Sequence, residues 1–354
     1  MYSNLLGIFD GVIKFGYILI AILILMLMIT IHEFGHYLAG KLLKFKINEF
    51  SIGFGKALYT KKKENGEIFS IRAIPLGGYC AFDGEDTPDE SADSFNAQAP
   101  WKRLIVLFCG AFFNFLSAII FNIALLAVIG NGYIMITDIK GVNNAPDKLQ
   151  NGDIVTHING EELSFFNGGI GGITQDIKIG DDITFTIKRN GEIQKVVVQK
   201  FAVLEDGSEV GKLGVNGQAY VRLSVGNAML KSVPFTFEMS WEILVTFFDL
   251  LTGKYGIDAL GGPVTTIGAM ANAGATNWLN LLLWVPMIAA NLAVFNLLPI
   301  PALDGSKMVF VAIEWVRGKP IDRDLENKIH MVGILVLFGI VILADGLHIL
   351  DFFR

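Results

Sequence analysis

"FGYILIAILILMLMITIHEFGHYL" occupies Phe15 to Leu38, and its reading decides what kind of molecule this is. The run is long enough to cross a hydrocarbon core of about 30 Å. It nevertheless closes on two histidines and a glutamate, side chains that are costly inside a bilayer and functional where they occur there. Three further apolar runs have spanning length: Leu104 to Ile129, Leu279 to Leu298 and Met331 to Leu350. With 52% hydrophobic and only 18% charged residues among 354, and a mean hydropathy of +0.51, the chain is too apolar for a soluble enzyme of its size. It reads as a polytopic α-helical membrane protein with four transmembrane helices. The formal charge of −6 comes with dispersed basic residues, which excludes a nucleic-acid footprint and leaves membrane lipid and membrane proteins as partners. Cys80 and Cys109, the only cysteines, receive no role. No small-residue cleavage site follows the first run, so it is predicted to be a retained span and not a signal peptide.

Four spans put both termini on one side. Lys41, Lys44, Lys46, Lys102 and Arg103 cluster beside the first two spans, and Arg317, Lys319, Arg323 and Lys328 lie between the last two. By the positive-inside rule these links are cytoplasmic and the termini outside, with His32, Glu33 and His36 in the cytoplasmic half of the first span. The predicted division is residues 1–43 for the first transmembrane helix, 44–103 for a cytoplasmic membrane-associated β region, and 104–130 for the second helix. A β-rich domain takes 131–205, a connector and amphipathic helix 206–260, a re-entry turn and third transmembrane helix 261–302, and a ligand loop, cytoplasmic link and fourth helix 303–354. Within the β region "IFSIRAIPLGGYCAF" alternates and then breaks at Pro75, Gly77 and Gly78, and the acidic "DGEDTPDESAD" after it reads as a solvated loop. In the β-rich domain Asn190-Gly191 is a hairpin signal, and "LQNGDIVTHINGEEL" resembles the PDZ family, which implies a peptide-binding groove able to take a C-terminus. After Pro234, read as a helix start or kink, the apolar spacing predicts an amphipathic helix on the outer membrane surface; Glu238, Glu242 and Asp249 weigh against a fifth span.

Residues four apart on a helix share a face, so His32 and His36 stand side by side and can hold one Zn2+. Glu33, on the adjacent face, can take a proton from an attacking water. A hydrolytic zinc site needs a third protein ligand. In "NLAVFNLLPIPALDGSKM" the third span breaks at Pro299 and Pro301 and then presents Asp304. Broken backbone at membrane depth belongs where it is buried or lines a cavity. Alone, Asp304 reads equally as a ligand or as a helix cap; beside the first span the ligand is the better reading.

With "HEFGH", "SIGFG", "IPLGGY", "GAFFNF", "LGGP", "NLLPIPALDG" and "EWVRGKP" in order over nearly its whole length, the chain resembles the site-2 proteases, bacterial intramembrane metalloproteases similar to the regulator of sigma-E protease. The resemblance implies zinc ligands His32, His36 and Asp304 with Glu33 as catalytic base. It also links Asn291, Asn296 and Asn114 to substrate binding, with Asn114 on the second span near the site. Ser306 departs from the second glycine that the family commonly has after "LDG". The implied function is endopeptidase cleavage within or near the spans of single-span membrane proteins, such as anti-sigma factors or remnant signal peptides, in the bacterial inner membrane. Because a transmembrane helix hides its peptide bonds, the substrate must unwind, and an edge near Ile68 to Ala73, with Ile71, Arg72 and Ala73 as contacts, is expected to add it as a strand. The competing reading is a PDZ-containing membrane scaffold with a structural metal site. A metal transporter would need polar residues through several spans.

Overall fold

The computed structural model describes residues 2–85, 94–143, 145, 147–164, 169–205, 208–219, 222–256 and 261–352. They form two units, residues 1–121 with 234–354, and residues 122–233. In chain order the elements are α1 (Tyr2–Leu42), β1 (Ile47–Lys62), β2 (Ile68–Phe82), α2 (Pro100–Val128), β3 (Ile134–Ile139), β4 (Ile154–Ile158), β5 (Glu161–Glu162), α3 (Gly169–Thr174), β6 (Asp182–Arg189), β7 (Glu192–Gln199), β8 (Phe201–Glu205), β9 (Ser208–Lys212), β10 (Val215–Ala219), α4 (Val225–Leu251), α5 (Pro263–Thr276), α6 (Leu281–Leu297), α7 (Asp304–Arg317) and α8 (Arg323–Phe352).

Among the described residues four helices are long and apolar enough to cross a membrane, over Gly11–Leu42, Pro100–Val128, Trp278–Leu297 and Arg323–Gly346. The chain is a multi-pass membrane protein. All four expected spans are present, the first, second and fourth extended by polar turns that apolar runs alone do not mark. The first stops at residues that fit a helix end: Lys44 takes left-handed backbone at φ 64°, and the Phe45 N–H donates to the Gly40 carbonyl at 2.8 Å, closing the last turn. Ala21, Met28, His32, His36 and Ala39 make a buried stripe along α1. The two histidines are therefore on its protein-facing side.

Two expectations need correction. The helix expected after Pro234, with the proline as its start or a kink, begins at Val225 and runs through the proline. A proline within a helix removes only its own N–H bond and crowds one carbonyl. Burial of Ala228, Ser232, Phe235, Thr236 and Met239 along one face holds the helix across that gap. The opposite face, with Met229, Val233, Phe237, Trp241 and Phe248, is exposed and apolar. The re-entry turn, in turn, is mostly helix: α5 starts at Pro263, and the Asp345 carboxylate of α8 accepts from the N–H groups of Val264 at 3.2 Å and Thr265 at 3.0 Å and from the Thr265 hydroxyl at 2.7 Å. At 14 residues α5 is about 21 Å long, too short to span.

β1 and β2 fold into a sheet of four rows. Residues 57–62 pair antiparallel with 68–72, and residues 47–52 pair antiparallel with 78–82. The second join is between 49–52 and 68–71, where Glu49 meets Ile68 and Ile52 meets Ile71, both segments ascending together. Rows 57–62 and 78–82 are thus the edges. A buried cluster of Ala39, Phe45, Ile47, Phe82, Phe95, Val106, Leu107 and Val311 holds this sheet against the helices. Most of the acidic run after Asp83 lies outside the described residues.

In the second unit the strands order β10-β3-β4-β6-β7, with β5 on β4, around a core that includes Ile136, Val155, Ile158, Phe185 and Val198. The β6–β7 hairpin turns at Asn190 and Gly191, both with positive φ, as the sequence predicts. Since β10 pairs with β3, the β-rich unit closes beyond residue 205, the boundary expected from the sequence. No local pattern marks that return.

Candidate metal centre

His32 and His36 stand one turn apart on α1 with ring centroids 4.7 Å apart and edge to face. Their Nε2 atoms approach to 3.1 Å. Asp304, the first residue of α7, brings Oδ2 to 2.9 Å from His32 Nε2 and 3.2 Å from His36 Nε2. Asp304 does not cap: the residue in the cap position is Leu303. One ligand atom from each residue falls within 4.8 Å of the others, the one such group among the described residues.

The donor set fits a zinc ion. A tetrahedral Zn2+ with bonds of about 2.0–2.1 Å has ligand-to-ligand edges of about 3.3 Å, close to the three separations above. Asp304 Oδ2 is buried and receives no well-formed hydrogen bond, as suits an atom meant for a cation. The space is kept open by a missing side chain: a Cβ on Gly110 would stand 2.4 Å from His36 Nε2 and 2.7 Å from His32 Cε1. Across the same helix crossing, a Cβ on Gly35 would lie 2.3 Å from the Cys109 carbonyl oxygen. Only glycines let α1 and α2 approach this closely.

Other groups set the orientation of these ligands. The Val106 carbonyl lies 2.8 Å from His36 Nδ1, and the Asn114 amide nitrogen lies 3.4 Å from His32 Nδ1. Ala302, two residues before Asp304, holds a non-glycine left-handed conformation at φ 82°, and its N–H donates to His330 Nδ1 on α8 at 3.1 Å. His330 thus pins the ligand loop, a role that its position at the end of an apolar run does not signal. Ser306, the departure from the family pattern, donates its hydroxyl to the Leu303 carbonyl at 2.8 Å and so secures the first turn of α7.

Glu33 follows His32 on α1, and its carboxylate accepts a hydrogen bond from the Cys80 backbone. A Cβ on Gly78 would reach Glu33 Cγ at 3.6 Å. The edge row 78–82 therefore runs beside Glu33. Burial drives the Cys80 thiol well above its ordinary range, which keeps it a neutral neighbour. Glu67, in the turn before β2, ties the sheet to the end of α1: it accepts from the Tyr37 hydroxyl at 2.9 Å, Lys63 at 2.6 Å and Lys41. Burial alone would raise its carboxyl, but hydrogen bonds from Lys41, Lys63, Tyr37 and Asn65 outweigh that and hold it at about 2.

The remaining expected contacts divide. Asn114 is fully buried next to His32. Asn296 turns its amide back to the Leu292 carbonyl at 2.9 Å, and Asn291 is exposed on α6; neither is in the ligand cluster. The strand edge expected at Ile68 to Ala73 is corrected. Ile71 pairs with both Ile52 and Tyr59, Arg72 pairs with Ala57, and Ala73 lies between the paired Arg72 and Ile74. Arg72 donates to Ser51, the Gly55 carbonyl and Glu49, holding the bend of β1. Alternation in the sequence reports which face a residue takes and not which side of its strand is already paired.

A family model described as Peptidase family M50 matches residues 20–340. A protein of Fusobacterium nucleatum carrying a provisional zinc metalloprotease name is 31% identical over 92% of this chain and 96% of its own length. The zinc metalloproteases RasP of Oceanobacillus iheyensis and Geobacillus kaustophilus are 27% and 26% identical, covering 91% and 92% of this chain and 96% of each relative.

Proposed function

The chain belongs to peptidase family M50, the site-2 proteases, and from that premise we propose that it is an intramembrane endopeptidase cleaving within or near the spans of single-span membrane proteins. It is a zinc metalloprotease, with Zn2+ as its cofactor. The observation that carries the proposal is the convergence of His32 and His36, at the end of a membrane span, with Asp304. An enzyme acting on soluble peptides would not need its chemistry at such a site.

His32, His36 and Asp304 would hold the ion. When bound, Zn2+ supplies a Lewis acid that polarises the scissile carbonyl and makes water acidic enough to attack near neutral pH. Glu33 takes the proton of the attacking water and returns it to the leaving amine, with its carboxylate aimed by the Cys80 N–H. The substrate helix must first unwind, since an intact helix has no free backbone groups. Its extended segment then pairs with the edge row 78–82, the row beside Glu33, by strand addition. Helix-breaking residues in a substrate favour this step.

The second unit is read as a PDZ-like domain taking the C-terminus of a partly cleaved substrate, supported by its sheet order and its "NGDIV" turn. The basic links flanking the spans support a bacterial inner-membrane protein with both termini outside, and the exposed apolar face of α4 supports contact with the outer lipid surface. The scaffold alternative lacks a use for Glu33 beside three convergent ligands. Purified parent and Glu33→Gln, with zinc measured in both, test the proposal on a single-span substrate. Cleavage by the parent alone, slowed by about 100-fold or more in the variant, supports it; equal cleavage, or none by either with zinc bound, overturns it.

A further inference from the structure

We propose that Asn114 is a positioning residue that fixes the ring of His32, with its amide turned so that Oδ1 accepts a hydrogen bond from His32 Nδ1–H. The inference rests on the zinc reading above. His32 Nε2 is the nitrogen facing Asp304 Oδ2 at 2.9 Å and His36 Nε2 at 3.1 Å, so it is the ligating atom and bears no proton. A neutral imidazole then carries its proton on Nδ1. Yet the group 3.4 Å from Nδ1 is the Asn114 Nδ2 amide, a donor facing a donor. The same side chain is fully buried, and its Oδ1 has no hydrogen-bond partner. Amide oxygen and nitrogen are distinguished only by their network, and here the network asks for the reverse assignment. Turning the amide by half a rotation gives the oxygen a donor and gives Nδ1–H an acceptor.

The second ligand is held in the same sense. His36 Nδ1 lies 2.8 Å from the Val106 carbonyl, which can only accept, so this ring too is protonated at Nδ1 and ligates through Nε2. Val106, Gly110 and Asn114 are spaced four residues apart along α2 and lie on one face. That face offers an acceptor, an open space and an acceptor in register with His36, the metal position and His32. The stripe assigns α2 the orienting shell of the centre, since acceptors behind ligating histidines fix their tautomer and raise their basicity. Asn114 acts on His32 and not on substrate.

The test uses the full chain in detergent, comparing the parent with Asn114→Asp and Asn114→Leu for zinc retained against a graded chelator, and for KM and kcat separately. Asn114→Leu should weaken zinc binding about 10–100-fold, whereas Asn114→Asp, a stronger acceptor with no donor, should hold zinc at least as tightly as the parent. Unchanged zinc affinity in Asn114→Leu with a raised KM would make Asn114 a substrate contact and overturn the proposal. So would an equal loss in both variants, which would mean that the amide donor is needed. Should Asn114→Leu fail to fold, proton NMR of the His32 Nδ1–H in zinc-loaded parent and Asn114→Asp decides. A downfield move in Asn114→Asp supports the bond, and an unmoved signal overturns it. A parent that binds no zinc fails at the earlier reading, and this proposal falls with it.

Discussion

At Gly110 a single methyl group would occupy the space where the three candidate ligands converge, 2.4 Å from His36 Nε2. Gly110→Ala is expected to abolish zinc retention while costing about 1–3 kcal/mol of stability through overpacking, checked by metal content and thermal unfolding of the same sample. Glu67 gives a pH dependence with a definite sign. Its folded value of about 2 lies below the ordinary 4.5, so its stabilisation is fully present above about pH 4.5 and is lost as pH falls from there through 2. In Glu67→Gln the midpoint temperature should be lower at neutral pH and should lose the part of its acid dependence that Glu67 supplies; an acid limb identical to the parent's would remove this assignment. At this scale the sequence is readable where chemistry is local. Spacing alone pairs His32 with His36 and puts Glu33 beside them. The role of His330 in the loop has no sequence signal, because the group it holds there is the Ala302 N–H, a backbone group with no signature of its own.

Between elements, the decisive relation is the edge row 78–82 beside Glu33. A proline at Cys80 removes the N–H that meets Glu33 and distorts the edge row on which an added strand would pair, so Cys80→Pro should lose most cleavage while retaining zinc. Tyr59→Pro, on the opposite edge row 57–62, should leave cleavage largely intact; equal effects of the two would end the strand-addition reading. The helices and strands themselves follow from periodicity. The true edge is not marked in the sequence because β1 bends back between Phe54 and Ala57, flanking residues 68–72 on both sides. Such a bend depends on Arg72 reaching Gly55 and Glu49, contacts between residues far apart in sequence.

Over the whole membrane unit, a buried charge cluster joins segments more than two hundred residues apart. Arg103 at the start of α2 donates to Glu314 of α7 at 2.6 Å, Glu314 also meets Arg323 of α8 at 2.9 Å, and Arg103 and Glu314 side chains are 4% and 5% exposed. Burial tends to raise the Glu314 carboxyl, but the Ile321 N–H and the two arginines hold it below the usual range. Glu314→Gln should cost about 3–5 kcal/mol by leaving Arg103 without its counter-charge, and Arg103→Met with Glu314→Leu should recover much of it, both read from denaturation midpoints in detergent. Neither this cluster nor the return of β10 to β3 was legible, since each is a pairing across the chain and not a pattern along it. The same long-range character governs the candidate metal centre during synthesis. The histidines emerge from the ribosome early and Asp304 late, and at about 5–20 residues per second the interval is roughly 10–50 s. Throughout that interval the growing chain holds two of the three candidate ligands and no complete centre. A metalloprotease whose third candidate ligand is translated last is thereby kept inert until its own synthesis is nearly complete.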